Sequence, residues 1–315
     1  MTRKITIIGA GAVGSTIAYS LSDEDLASQI VMIDINKQKA EGEVMDIIQG
    51  TSFRDPINII SGDYEDAVDS DIVIITSGVA RKPGQTRLDL AQTNVNIMKD
   101  IAPQIAAVAP NAIYIIVANP VDIMTYAFIK LSGLPQKQVI GSGTLLDTAR
   151  LKCGLAQHFG IAQNNIHAYV FGEHGDTSFV PWSRAHIASA TIEEFTDLLR
   201  ARGQDVKDLD RNAILEYVRT SGSQIIKNKG ATFYAVSASV IKLCQLILAG
   251  SDSTAMVSTM LYGHYGIDDV CMSILTIIGP NGIRGHLPVR LTEEEMYKLQ
   301  KSADALKAII SQLTF

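Results

Sequence analysis

Gly9-Ala10-Gly11-Ala12-Val13-Gly14 stands directly behind the apolar run Ile5-Thr6-Ile7-Ile8 and directly ahead of a segment with helical patterning. Few features restrict a fold this hard. Gly9 permits the tight turn out of a strand, Gly11 leaves the backbone bare for a pyrophosphate, and Gly14 lets the helix pack close to the sheet. The N-terminal N–H groups of that helix, with Val13 in its first turn, then face an anion. Val31-Met32-Ile33-Asp34 closes the next strand, and Asp34 lies twenty residues after Gly14. An acid there accepts from ribose hydroxyls and repels a 2′-phosphate, which selects NAD over NADP. The alternative is a structural turn with Asp34 as a strand-end surface acid.

The rest of the first half repeats this rhythm. Short β-branched runs at Ile5–Ile8, Ile30–Ile33, Ile57–Ile60, Ile72–Thr76, Ala112–Val117 and Gln138–Ile140 alternate with helical patterns such as Leu88–Val108 and Val121–Leu131. Several runs are apolar throughout, as strands buried on both faces of a parallel sheet must be. The expected fold is α/β: a Rossmann-type doubly wound parallel sheet over residues 1–141. A mixed α+β domain is expected over 142–315. It holds helices at Leu145–Phe159, Val206–Lys229 and Thr232–Leu248, and a strand at His167–Phe171. Gly279-Pro280-Asn281-Gly282 predicts a hairpin between Val270–Ile278 and Ile283–Leu291, and Thr292 with Glu295 a capping box opening the last helix.

Composition excludes other classes. The 315 residues are 47% hydrophobic and 19% charged, with a formal charge of −6, so no basic excess invites nucleic acid or an anionic membrane. Three cysteines without paired spacing indicate neither a disulfide framework nor a Cys-rich metal site. The stretch from Ile105 to Met124 is cut by Pro110-Asn111 and Asn119-Pro120 and cannot be a membrane span. A cytoplasmic protein is expected.

Four groups of residues invite chemistry. His174, in Gly172-Glu173-His174-Gly175-Asp176, is flanked by small and polar residues rather than an apolar face. Histidine is the side chain best matched to proton transfer near neutral pH, although a structural role is the commoner one. Asp147 and Arg150 share a helix face. They read either as a capping box with Thr144 plus a surface ion pair, or as an acid orienting an imidazole and a guanidinium gripping a carboxylate. In the loop Gly78–Asp89, Thr86 and Asp89 form a cap that sets Arg87 in the first helical turn, against the dipole. Asn119 lies beyond a strand's carboxyl end, where open α/β sheets bind ligands, and Asn119–Pro120 is a candidate cis peptide.

Together, Gly9–Gly14, Asp34, Arg81–Arg87, Asn119-Pro120, Leu146–Arg150, Gly172–Asp176 and Lys229–Thr232 resemble the lactate/malate dehydrogenase family over essentially the whole chain. The phrasing is most similar to bacterial L-lactate dehydrogenases. The resemblance implies NAD bound by Gly9, Gly11, Val13, Gly14, Asp34 and Asn119. It makes His174 the proton donor and acceptor, Asp147 its orienting acid, and Arg150 the clamp on a substrate carboxylate. Arg87 polarises the carbonyl, Asn119 orients the substrate and Thr232 lines the pocket. It further implies a homo-oligomer, tetramer or dimer, acting on a small 2-oxo or 2-hydroxy acid. Arg81 departs from the lactate pattern, where Gln is usual, toward the malate pattern, and favours oxaloacetate and L-malate. Thr232 and Leu88 keep the lactate pattern, and the alternative is pyruvate reduction with Arg81 turned to solvent. Lys152 and His167 match positions that bind fructose 1,6-bisphosphate in many bacterial members. Lysine lacks the bidentate fork of arginine, so activation is expected to be weak or absent. A non-catalytic NAD-binding protein and a metal-dependent NAD glycosidase are the rival classes.

Overall fold

The structure is a computed structural model and describes residues 3–80, 84 and 86–315. The first strands and helices follow the expected rhythm: β1 (Lys4–Ile8), α1 (Ala12–Asp23), β2 (Gln29–Ile33), α2 (Lys37–Gly50), β3 (Asn58–Ser61), β4 (Ile72–Ile75), α3 (Arg87–Val108), β5 (Ile113–Ile116), α4 (Val121–Ser132) and β6 (Val139–Gly141). Their six strands pair in parallel in the order 3-2-1-4-5-6. The winding reverses between β1 and β4, which opens a crevice at the carboxyl ends of these strands.

The apolar runs do not alternate because both faces are covered. Ile5, Ile7, Ile30, Met32, Ile72 and Ile74 pack on one side with Ile17 and Leu21 of α1. Ile8, Val31, Ile33, Val73, Ile75 and Ile116 pack on the other with Val95, Met98 and Ile105 of α3.

The second half contains α5 (Leu145–Phe159), β7 (Ile166–His167), β8 (His186–Ile187), β9 (Ala190–Thr191), α6 (Ile192–Ala201), α7 (Arg211–Lys229), α8 (Tyr234–Leu248), β10 (Ser253–His264), β11 (Ile267–Gly279), β12 (Gly282–His286) and α9 (Glu293–Ile310). Here the structure corrects several expectations. The strand expected over His167–Phe171 is only Ile166–His167; beyond it Phe171 bridges Phe179 and Gly172 bridges Ser273. The helix expected from Val206 starts at Arg211, where the Asp210 carboxylate accepts from the Asn212 and Ala213 N–H groups. Thr232 precedes α8 instead of opening it.

β10 was not anticipated. It runs antiparallel to β11 and joins β6 through Ser258↔Gly141, so the sheet continues to nine strands in the order β12-β11-β10-β6-β5-β4-β1-β2-β3. The hairpin at Gly279–Gly282 forms as expected, and Thr292 and Glu295 close the capping box of α9. No helix among the described residues is long and apolar enough to cross a membrane.

Candidate active site

The glycine loop has the geometry of a cradle. Gly9 has φ of +110°, and a Cβ there would sit 2.6 Å from Thr76 Oγ1. A Cβ on Gly14 would sit 1.8 Å from the Gly9 carbonyl oxygen, so close packing of α1 on β1 forbids any larger residue. Around Gly11, by contrast, a Cβ would meet nothing within 4 Å. Gly11 is the N-cap of α1 and gives no side-chain cap, which leaves the first N–H groups of the helix, through Val13, for an anion. Asp34 accepts from Ala10 N at 2.6 Å and from Asn36 N at 2.8 Å, tying the end of β2 to the glycine loop. These residues fit a dinucleotide: open backbone where phosphates approach, and an acid at the strand end.

Asp147 organises the other side of the crevice. It stands in the first turn of α5, and its side chain is only 8% exposed. One carboxylate oxygen, Oδ2, is 2.5 Å from His174 Nδ1; the other, Oδ1, accepts from Arg150 Nη1 at 3.0 Å. Of the two readings of Asp147, the capping box is therefore excluded. Thr144 gives no cap to α5; its hydroxyl donates to the Val170 carbonyl, and its N–H donates to Ser273 Oγ at 2.9 Å. The surface ion pair is ruled out as well, because the Arg150 side chain is 13% exposed and Asp147 is buried.

The charges act on one another. The Asp147 carboxylate raises the His174 imidazole to about 9, outweighing the burial that opposes it. Burial pushes Asp147 up, but the imidazole and then the Arg150 guanidinium outweigh that and hold it below the usual carboxylate range. With Nδ1 turned to a carboxylate, the ring keeps a proton there and leaves Nε2 for chemistry.

His174 hangs from a tightly held loop. Phe171 N donates to the Phe179 carbonyl at 2.9 Å, Gly172 N to that of Ser273 at 3.0 Å, and Glu173 N to Ser302 Oγ at 2.7 Å. The His174 N–H donates to Asp122 Oδ2 at 2.7 Å. Asp122 is a residue sequence reasoning passed over: an acid in the first turn of a helix reads as a complement to the dipole. Gly222 of α7 was missed too; a Cβ there would lie 3.3 Å from Arg150 Nη2.

The remaining candidates are placed as follows. Thr86 and Asp89 form the expected capping box, and Arg87 opens α3. The Arg87 guanidinium pairs with Asp176 and stands 3.5 Å from Glu173 Oε1. Asn119 follows β5 with its side chain exposed, its bond to Pro120 is cis, and its carbonyl accepts from Asn94 Nδ2 at 2.6 Å. Thr232 lies half-buried between α7 and α8. Lys152 is half-buried on α5 beneath the Tyr169 ring, and His167 is exposed on β7. Arg81 lies outside the described residues.

Comparison with known proteins finds relatives along nearly the whole chain. The family profile described as lactate/malate dehydrogenase, NAD binding domain, matches residues 3–141, and that of the alpha/beta C-terminal domain matches 144–314. The L-lactate dehydrogenase of Acetivibrio thermocellus is 46% identical over 311 residues, covering 99% of this chain and 97% of that protein. That of Clostridium perfringens strain 13 is 46% identical over 312 residues, covering 98% and 97%. Among solved structures, the minor L-lactate dehydrogenase from Enterococcus mundtii superposes with a TM-score of 0.94 at 34% identity, covering 100% of this chain and 99% of that one.

Proposed function

The chain belongs to the lactate/malate dehydrogenase family and is an NAD-dependent oxidoreductase, and on that premise we propose that it interconverts pyruvate and L-lactate. One observation carries the chemistry: a single buried carboxylate, Asp147, holds both an imidazole and a guanidinium. The substrate assignment is supported by relatives 46% identical along nearly the whole chain that are L-lactate dehydrogenases.

NADH, when bound, would be the source of the hydride that C2 of the 2-oxo acid accepts. Within residues 1–141, Gly9, Gly11, Val13, Gly14, Asp34 and Asn119 would hold the dinucleotide. Residues 142–315 supply the acid–base and carboxylate-binding groups. His174 Nε2 gives its proton to the C2 oxygen as negative charge develops there, and Asp147 keeps the ring oriented and its cation stable. Arg150 keeps one edge on Asp147 and offers the rest of its fork to the C1 carboxylate. Arg87 leaves Asp176 to polarise the carbonyl once substrate anion is present. Asn119 and Thr232 line the pocket. The working form is a homo-oligomer in the cytoplasm.

A second reading rests on Arg81. In a closed pocket facing only the methyl of pyruvate, its buried cation would cost several kcal/mol, on the order of 2–4. The second carboxylate of oxaloacetate offsets that cost. Steady-state kcat/KM for both acids separates the readings. Pyruvate preferred by roughly tenfold or more, a difference of about 1.4 kcal/mol, supports the lactate assignment. Oxaloacetate preferred, with Arg81→Gln reversing the order, establishes the malate one.

A further inference from the structure

We propose that the cavity beside the chain following His174 binds a small oxyanion of the phosphate type, seated between Arg219 and Lys301, and that its occupancy holds Arg87 on Asp176. The seat goes beyond the function given above and does not depend on it. Only the effect on rate rests on the role given there to Arg87.

The cavity measures about 820 Å³ and is enclosed by the segment Asp176–Ala185, the first half of α7 and one face of α9. That is ample for a small ligand. Its lining includes neither the glycine loop nor Arg150, and neither Lys152 nor His167. Phe179 and Val180 give it a buried apolar floor. Arg211, Arg219, Lys298 and Lys301 stand around that floor, and Asp176 lines the same space.

The ion pairs decide which charge the cavity takes. Every carboxylate in its lining is already committed. Glu193 pairs with Arg211, Glu294 with Lys298 at 2.6 Å, and Asp176 with Arg87. Glu295 accepts from Ser183 N at 3.1 Å, from Ser183 Oγ at 2.7 Å and from Thr292 N at 2.9 Å. Among the described residues, Arg219 and Lys301 have no carboxylate within ion-pair distance. Arg219 donates instead to the Ser178 carbonyl, a neutral acceptor that leaves the rest of its fork open. Two cations without counter-charge, facing one concave space over an apolar floor, select an anion. A guanidinium fork beside an ammonium suits a tetrahedral oxyanion, which offers oxygens to both. The position bears on the reaction. Ser178 N donates to the Gly175 carbonyl at 3.2 Å, so the carbonyl that holds Arg219 belongs to the turn carrying Asp176. A dianion there adds negative potential beside the resting place of Arg87 and raises the cost of moving that guanidinium to the substrate. Occupancy therefore slows pyruvate reduction.

Inorganic phosphate titrated calorimetrically into the NADH-saturated enzyme tests the seat, at fixed ionic strength so that general screening stays constant. Phosphate binds; Arg219→Gln and Lys301→Gln each weaken it by at least about fivefold, whereas Lys152→Gln and added pyruvate leave it in place. In initial-rate assays saturating phosphate lowers kcat/KM for pyruvate by roughly threefold, and Lys301→Gln abolishes the effect. No binding, or equal binding in the wild type and both variants, overturns the inference. So does binding that Lys152→Gln or pyruvate removes, which puts the anion elsewhere. If Arg219→Gln does not fold, Lys301→Gln decides alone, because its side chain is exposed on α9. Phosphate held by Lys301 without any slowing overturns the hold on Arg87. An Arg87→Gln enzyme with undiminished turnover overturns the role given to Arg87, and the effect on rate with it, while the calorimetric result stands or falls by itself.

Discussion

Asp147 does its work because its two oxygens are spent on different partners, Oδ2 on His174 and Oδ1 on Arg150. In the proposed mechanism, substrate protonation by His174 and substrate anchoring by Arg150 are thus referred to one buried point, and removing its charge should damage both. The sign of the pH dependence follows from the imidazole raised to about 9. Pyruvate reduction needs the protonated ring, so kcat/KM should hold level through neutral pH and fall as pH rises through about 9. L-lactate oxidation needs the neutral ring and should rise over the same interval. The folded state loses the same interaction: stability from His174 is complete below its ordinary value of 6.5 and is lost as pH rises through about 9. In Asp147→Asn the alkaline limb should move down by at least one pH unit and kcat should fall by roughly 10²–10⁴. Initial-rate profiles in both directions test this; an unmoved limb would mean that another group sets the proton affinity of the ring.

Elements differ in how clearly a sequence announces them. β1, β2 and the helix between them were legible because the glycine loop fixes the turn and both strands are apolar on both faces. α3 was legible from its cap at Thr86 and Asp89. β10 was not. Ser253–His264 mixes Ser, Thr and Met with no alternation, and every residue from Ala255 to Leu261 is buried because β6, β11 and helices enclose it. That burial is a property of the tertiary neighbours, not of the segment. The start of α7 was misjudged because Asp210, an ordinary cap, lies within a polar run. In the site, His174, Asp147 and Arg150 were legible as residue types, but the spacing alone left Asp147 between a helix cap and an orienting acid, because Thr144 at the N-cap position suits either. Gly222 was invisible because a glycine inside a helix signals only lost propensity. Its function is spatial: α7 passes so close to Arg150 that a Cβ would stand 3.3 Å from Nη2. Gly222→Val should therefore displace the guanidinium and raise the KM for pyruvate by roughly tenfold, about 1.4 kcal/mol of anchoring, while NADH affinity is unchanged. An unchanged KM would show that Arg150 can move aside without loss.

At the scale of the whole molecule, the two halves matched by separate family profiles share one sheet. The join is narrow: β6 is three residues long and meets β10 through the single register pair Ser258↔Gly141. Gly141 is required there by close approach rather than by an unusual backbone angle. A Cβ would lie 2.2 Å from Thr125 Oγ1 of α4 and 2.8 Å from Ser258 Cβ. Thr125 has no exposed surface and its hydroxyl is committed to the Val121 carbonyl at 2.7 Å, so it cannot yield cheaply. The core on that side is continuous as well, running from Val73 and Ile116 through Phe128 of α4 to Met272 and Ile274 of β11. A crevice with dinucleotide residues on one half and acid–base residues on the other needs such a rigid seam, because hydride transfer tolerates little misplacement of the two reactants. Gly141→Ala should therefore cost about 1–3 kcal/mol of overpacking. It should lower the melting temperature by several degrees while both halves still unfold in one calorimetric transition. Two resolved transitions, with only one of them moved by the substitution, would show that the halves fold independently and that the shared sheet does not couple them.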